Sequence, residues 1–290
     1  MPEFVRQRIG TGAVELQVAI GGEGPPLLLL HGFPETHLAW HAVAPALARQ
    51  WTVVCPDLRG YGESDKPPGD EAHEQYSKRT MARDMVTLMD TLGHGRFAVA
   101  GHDRGAVVAY RLALDHPAAV TRLAVMSVLP VVDQWDTLRG QAGLGAYHLY
   151  LLAQPPDFPE RLIGANPDLV LQSFLDGWCA TPGAIVAEAR AEYARAFRDP
   201  RTLHAICEDY RANASIDVEH DRADRAAGRR IMSPLLVLWE QPPEVELPFD
   251  PLAVWRQWAD DVRGHALDCG HFLPEERPRE VAAALASFFA

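Results

Sequence analysis

Five residues, Gly101-His102-Asp103-Arg104-Gly105, limit what this chain can fold into more than any other stretch does. They follow an apolar run, Phe97 to Ala100, and precede a segment patterned like a helix, so they occupy a strand-to-helix junction. A turn that tight needs flanking residues without side chains, and it forces its central residue into a strained backbone conformation. The central side chain then stands above the edge of a sheet, where it can react. Here that side chain is the carboxylate of Asp103.

Alone, a G-x-D-x-G pattern is short, and Gly and Asp are ordinary residues of surface turns. Set between a strand and a helix, it is similar to the nucleophile elbow of the α/β-hydrolase fold, with aspartate standing where serine could. Aspartate is a poor agent of acyl transfer, because attack on an acyl ester would leave a reactive anhydride. It can instead displace a leaving group from a saturated carbon, forming an alkyl ester that water, activated by a histidine, cleaves at the carboxylate carbon. Carbon-halogen bonds and epoxides fit this logic.

The flanking chain reads as alternating strands and helices. Gly12 to Ile20, Leu27 to Leu30, Thr52 to Cys55, Arg96 to Ala100 and Leu123 to Met126 read as strands, with helices over Thr36 to Ala48 and Lys78 to Leu92. From about Leu129 to Ile231 there is no convincing strand, only helix-length stretches punctuated by prolines such as Pro155, Pro159 and Pro182. Strands resume at Leu235 to Trp239 and Gly264 to Leu267, with helices near Leu252 to Ala259 and Pro278 to Phe289. The pattern predicts an α/β protein with a mostly parallel sheet, helices on both faces, and a helical cap over the sheet's carboxyl edge. The expected division is core 1–128, cap 129–232 and core 233–290.

Composition sets outer bounds. At 290 residues, 48% hydrophobic and 23% charged, the chain suits one large domain with an insertion. A formal charge of -12 argues against nucleic acid or an anionic membrane as partner. The N-terminus lacks a basic-then-apolar signal pattern, and no apolar run approaches the roughly 18 residues of a membrane span. A cytoplasmic protein with reduced thiols at Cys55, Cys179, Cys207 and Cys269 is expected. Those cysteines show no metal-ligand spacing, so neither metal nor cofactor is implied, and a small-molecule substrate is the expected partner.

His271 lies in a Gly-His-Phe turn between the last predicted strand and the last helix, and it follows the nucleophile in chain order, which is the place of a base. In this fold the loop after an early strand supplies an oxyanion-hole amide. Phe33 in His31-Gly32-Phe33-Pro34 is the candidate, with the amide of Arg104 as partner. Four stretches carry a more specific resemblance: His31 to His37, Gly101 to Gly105, Cys207 to Arg211, and Gly270 to Glu276. They resemble the fluoroacetate (haloacetate) dehalogenases and the related epoxide hydrolases, nearly end to end and cap included. The resemblance implies Asp103 as nucleophile and His271 as base. It further implies that Arg104 grips a substrate carboxylate, and that His148 and Tyr210 donate hydrogen bonds to a departing halide. Pairing into a homodimer is suggested by the resemblance alone.

Three positions depart from that family. Val107 replaces a second arginine, Leu149 replaces a tryptophan donor, and Ser127 stands where the acid is expected. A histidine without a carboxylate partner loses its orientation. The loop after the next strand, Glu240 to Glu246, holds three glutamates, of which Glu244 is the first candidate, Glu240 the second and Asp133 a weaker third. With an arginine and a halide donor missing, epoxides compete with 2-haloacids as substrates, and Tyr210, with Tyr147 or Tyr150, would polarise an epoxide oxygen. A degenerate hydrolase kept for binding is a third reading, motivated by Ser127.

Overall fold

In the computed structural model, residues 1, 4–241 and 249–290 are described. Within them, eight strands form one sheet: β1 (Val5–Gly10), β2 (Glu15–Gly21), β3 (Pro26–Leu30), β4 (Thr52–Pro56), β5 (Phe97–His102), β6 (Val120–Met126), β7 (Leu235–Glu240) and β8 (Val262–Leu267). Their order is β1-β2-β4-β3-β5-β6-β7-β8. The β1–β2 and β2–β4 pairs are antiparallel and all others are parallel.

Helices α1 (Ala44–Leu47), α2 (Lys78–Thr91) and α3 (Arg104–Asp115) precede β6. Between β6 and β7 the chain makes a helical insertion: α4 (Val131–Thr137), α5 (Ala142–Gly145), α6 (Tyr147–Leu152), α7 (Phe158–Gly164), α8 (Pro167–Trp178), α9 (Ala187–Phe197), α10 (Pro200–Ala214) and α11 (Ile216–Ala226). Then α12 (Pro251–Trp255) precedes β8, and α13 (Leu273–Glu276) and α14 (Pro278–Phe289) close the chain.

The continuous apolar runs form the central strands because both faces of the sheet are covered, and successive side chains point to opposite faces. Leu28 and Leu30 join Val54, Val99, Val125 and Val237 on the face covered by α2 and α3. Leu27 and Leu29 join Val53, Ala100, Met126 and Leu238 on the face covered by α1 and α14. The fold is therefore the mostly parallel, doubly covered α/β sheet that the alternation predicts.

Local differences have local causes. β1 is an exposed edge strand with a single buried residue, Ile9, and offers no alternation to read. The predicted helix from Thr36 to Ala48 divides into a 3-10 turn, His37–Trp40, and α1. Asp57 captures both the His37 amide (2.8 Å) and the His37 ring (2.7 Å), which holds that first turn away from a continuous helix. No helix among the described residues is long and apolar enough to cross a membrane.

Candidate active site

The elbow is built by close approach. A Cβ on Gly101 would lie 2.4 Å from the carbonyl oxygen of Gly105, and one on Gly105 would lie 2.4 Å from the carbonyl oxygens of Leu30 and His31. Asp103 between them has φ 47° and ψ -117°, a left-handed conformation costly for a residue with a side chain. Its amide donates to Met126 of β6 at 2.9 Å, and its carbonyl accepts from Ala106 and Val107 to start α3. The carboxylate is held by one oxygen, Oδ1, which accepts the amide of Phe33 at 2.7 Å. No such bond from the Arg104 amide occurs among the described residues. Burial opposes ionisation of Asp103. His271, His102 and Arg104, with the Phe33 amide, outweigh it and hold the carboxyl below its ordinary range.

His271 follows β8 and precedes α13. Its Nε2 lies 3.7 Å from Asp103 Oδ2, and its Nδ1 lies 3.3 Å from Glu240 Oε1. Burial pushes the Glu240 carboxyl up, but the hydrogen bond and charge of His271 bring it below the ordinary glutamate value. The histidine's backbone is fixed on both sides. Its amide donates to Trp178 at 2.8 Å, and its carbonyl accepts from His102 Nε2 at 2.7 Å and Ser127 Oγ at 3.3 Å. Buried His102 also donates from Nδ1 to Glu35 at 2.9 Å. Against the penalty of burial, Glu35 raises His102 to about 9, so both ring nitrogens carry protons at neutral pH.

A cavity of about 520 Å³ opens beside Asp103, His271 and Glu240. Its walls include His148, Leu149 and Trp178 from the insertion, with Trp239 and Phe249 from the far side. The wall is mostly apolar, and no lysine or arginine lines it among the described residues. His148 is packed within an aromatic group, 4.6 Å from the Trp178 ring and 5.9 Å from the Tyr210 ring, centroid to centroid. Burial lowers it to about 4, which keeps the ring neutral, and its Nδ1 has no hydrogen-bond partner among the described residues. Tyr210 is buried beneath Phe33, at 5.5 Å between centroids, and burial together with Asp103 keeps its hydroxyl protonated.

Several sequence expectations need correction. Arg104, expected to grip a substrate carboxylate, is buried and spent on the insertion: it donates to the carboxylate of Asp209 and, at 2.9 Å, to Asn213. Asp209 is shared with Lys78 and Tyr61. Asp133 pairs with Arg225 and with the Trp258 indole, away from His271. Tyr147 and Tyr150 are exposed, and the Tyr150 hydroxyl donates to Leu138. Glu244 lies outside the described residues, while Glu240, the second choice, reaches His271. Trp178 and His102 were not anticipated. The first is one tryptophan ending an amphipathic helix, the second a residue inside a motif read for its neighbours.

With this geometry in view, comparison with known proteins narrows the family. Residues 25–278 match the profile of the alpha/beta hydrolase fold. The chain is 41% identical to a fluoroacetate dehalogenase of a Burkholderia species, covering 98% of this chain and 93% of that one. It is 33% identical to a soluble epoxide hydrolase of Corynebacterium sp. (strain C12), covering 99% and 98%. The crystal structure of ALR0039 from Nostoc sp PCC 7120 superimposes with a TM-score of 0.96 at 46% identity, over 100% of this chain and 99% of that one.

Proposed function

The chain belongs to the α/β-hydrolase family and is a hydrolase, and we propose that it opens neutral, medium-sized epoxides to diols through an ester on Asp103. The observation that carries this reading is the cavity wall. Two carboxylates, Asp103 and Glu240, face the substrate space and no lysine or arginine does among the described residues, so an anionic haloacid would enter against like charge. At about 520 Å³ the space lies in the usual range for small-molecule sites and far exceeds what a two-carbon acid fills.

In this mechanism the free oxygen of Asp103, Oδ2, attacks an epoxide carbon, forming a C–O ester bond as the ring C–O bond breaks. The departing alkoxide receives its proton from the Tyr210 hydroxyl, and the neutral His148 ring offers it a hydrogen bond. His271 then acts in the second half. With its Nδ1 proton directed to Glu240, Nε2 takes a proton from water as the hydroxyl adds to Asp103 Cγ. The Phe33 amide, already on Oδ1, meets the oxyanion that develops there. Collapse expels the second alkoxide, which takes the proton from His271, and the carboxylic acid left at Asp103 returns its proton to the Tyr210 phenolate.

A second reading, hydrolysis of a 2-haloacid, is favoured by the 41% identity to the fluoroacetate dehalogenase. A degenerate hydrolase is disfavoured by Glu240 standing at 3.3 Å from His271. The test is a panel of aryl and alkyl epoxides and 2-haloacids, scored for diol and halide. Diols are expected, and His271→Gln should stall with substrate mass on Asp103. Halide release from acids without diol formation would favour the second reading, and an unmodified Asp103 under single turnover would end both.

A further inference from the structure

Glu276 is buried, lies outside the cavity wall, and takes no part in the steps above. Its carboxylate nevertheless collects four backbone amides. Oε2 accepts from Gly270 at 3.0 Å and from Ala180 and Thr181 at 2.9 Å each, and Oε1 accepts from Phe272 at 3.2 Å. Gly270 and Phe272 flank His271. Ala180 and Thr181 follow Trp178, whose ring walls the cavity and whose carbonyl takes the His271 amide at 2.8 Å. One carboxylate thus joins the turn that carries the base to the segment that carries the wall. The joint has no slack: a Cβ on Gly270 would lie 2.3 Å from the Trp178 carbonyl oxygen and 2.5 Å from the Ala180 amide nitrogen.

We propose that Glu276 is a positioning residue for the second half-reaction, setting His271 against Asp103 and Glu240 only while the 178–181 segment is seated on the core. The inference rests on the ester mechanism proposed above. Its physical basis is that charge-assisted bonds to backbone amides are short and directional, so a carboxylate fixed on four of them leaves the enclosed residue little freedom. His271 bonds Glu240 at 3.3 Å and faces Asp103 at 3.7 Å, distances that small displacements of the turn would spoil. Attack by Asp103 does not use His271 as a base, so loosening the turn should slow ester hydrolysis and spare ester formation.

The experiment compares Glu276→Ala, Glu276→Gln and Gly270→Ala with the wild type. Ester formation and breakdown are followed by intact mass in single turnovers with styrene oxide or another neutral aryl epoxide that the wild type hydrolyses. Glu276→Ala and Gly270→Ala should slow breakdown roughly tenfold or more while formation stays within about threefold. Glu276→Gln keeps one oxygen for the three-donor side and should stay near wild type. In the absence of substrate, the His271 ring should titrate by NMR at a different pH in Glu276→Ala than in the wild type. Equal slowing of both steps would overturn the proposal, as would an unshifted His271 titration in a folded Glu276→Ala protein. Should the wild type form no ester with any substrate, the mechanism above fails, and the titration still decides the role of Glu276.

Discussion

Glu240 reaches His271, the proposed base, with one oxygen and leaves 31% of its side chain exposed at the cavity. A partner this long and wet gives less than the tightly buried acid of a serine-protease triad, where the amide substitution costs about 10⁴ in kcat. Glu240→Gln is therefore expected to lower the rate of ester breakdown by roughly 10- to 100-fold, measured as kcat on the best epoxide; an unchanged kcat would remove Glu240 from the mechanism. The structure brings Asp103 and His271 together at 3.7 Å, and the sequence singles out both as candidates because a glycine frame and a strand-turn-helix context mark them. Glu240 was harder to place, since it is the last residue of β7 and its loop carries two more glutamates. Arg104 misled for a different reason. Beside a nucleophile its charge reads as a substrate ligand, and its actual partner, Asp209, is far away in the chain and visible only once α3 and α10 are packed together.

The helices of the insertion are fastened to the core by buried ion pairs. Arg104 and Lys78, from α3 and α2, meet Asp209 on α10, while Arg111 on α3 meets Asp221 and Asp224 on α11. Burial would push Asp209 up, but the two cations hold it far below the usual carboxylate range. Lys78 still faces Asp209 when Arg104 is removed, so Arg104→Ala should cost less than a fully broken buried pair, about 2 kcal/mol in denaturant unfolding. A loss of binding for acids with stability unchanged would instead restore Arg104 to the substrate site. At this scale the sequence was informative wherever an element is covered on both faces, as in β3, β4, β5 and β7. It was uninformative for β1, which exposes nearly every side chain, and for the Thr36 to Ala48 stretch, where a distant aspartate decides the backbone.

Across the whole molecule, the support beneath the site titrates. His102 is buried between Glu35 and the His271 carbonyl, and its pKa rises from 6.5 to about 9 on folding. A raised value means the folded state holds the proton more tightly, so this contribution is complete below about pH 6.5 and is lost as pH climbs through about 9. Urea midpoints should fall across that window in the wild type and less so in His102→Gln; parallel profiles would show that the imidazolium adds nothing. One arrangement has a longer reach. The proposed nucleophile, acid and base, Asp103, Glu240 and His271, all stand on segments outside the excursion between β6 and β7, two strands that lie side by side in the sheet. A lineage can thus exchange the entire roof and acquire new substrates without rebuilding the reaction. Any such graft must bring acids to face Lys78, Arg104 and Arg111, and backbone amides to face Glu276.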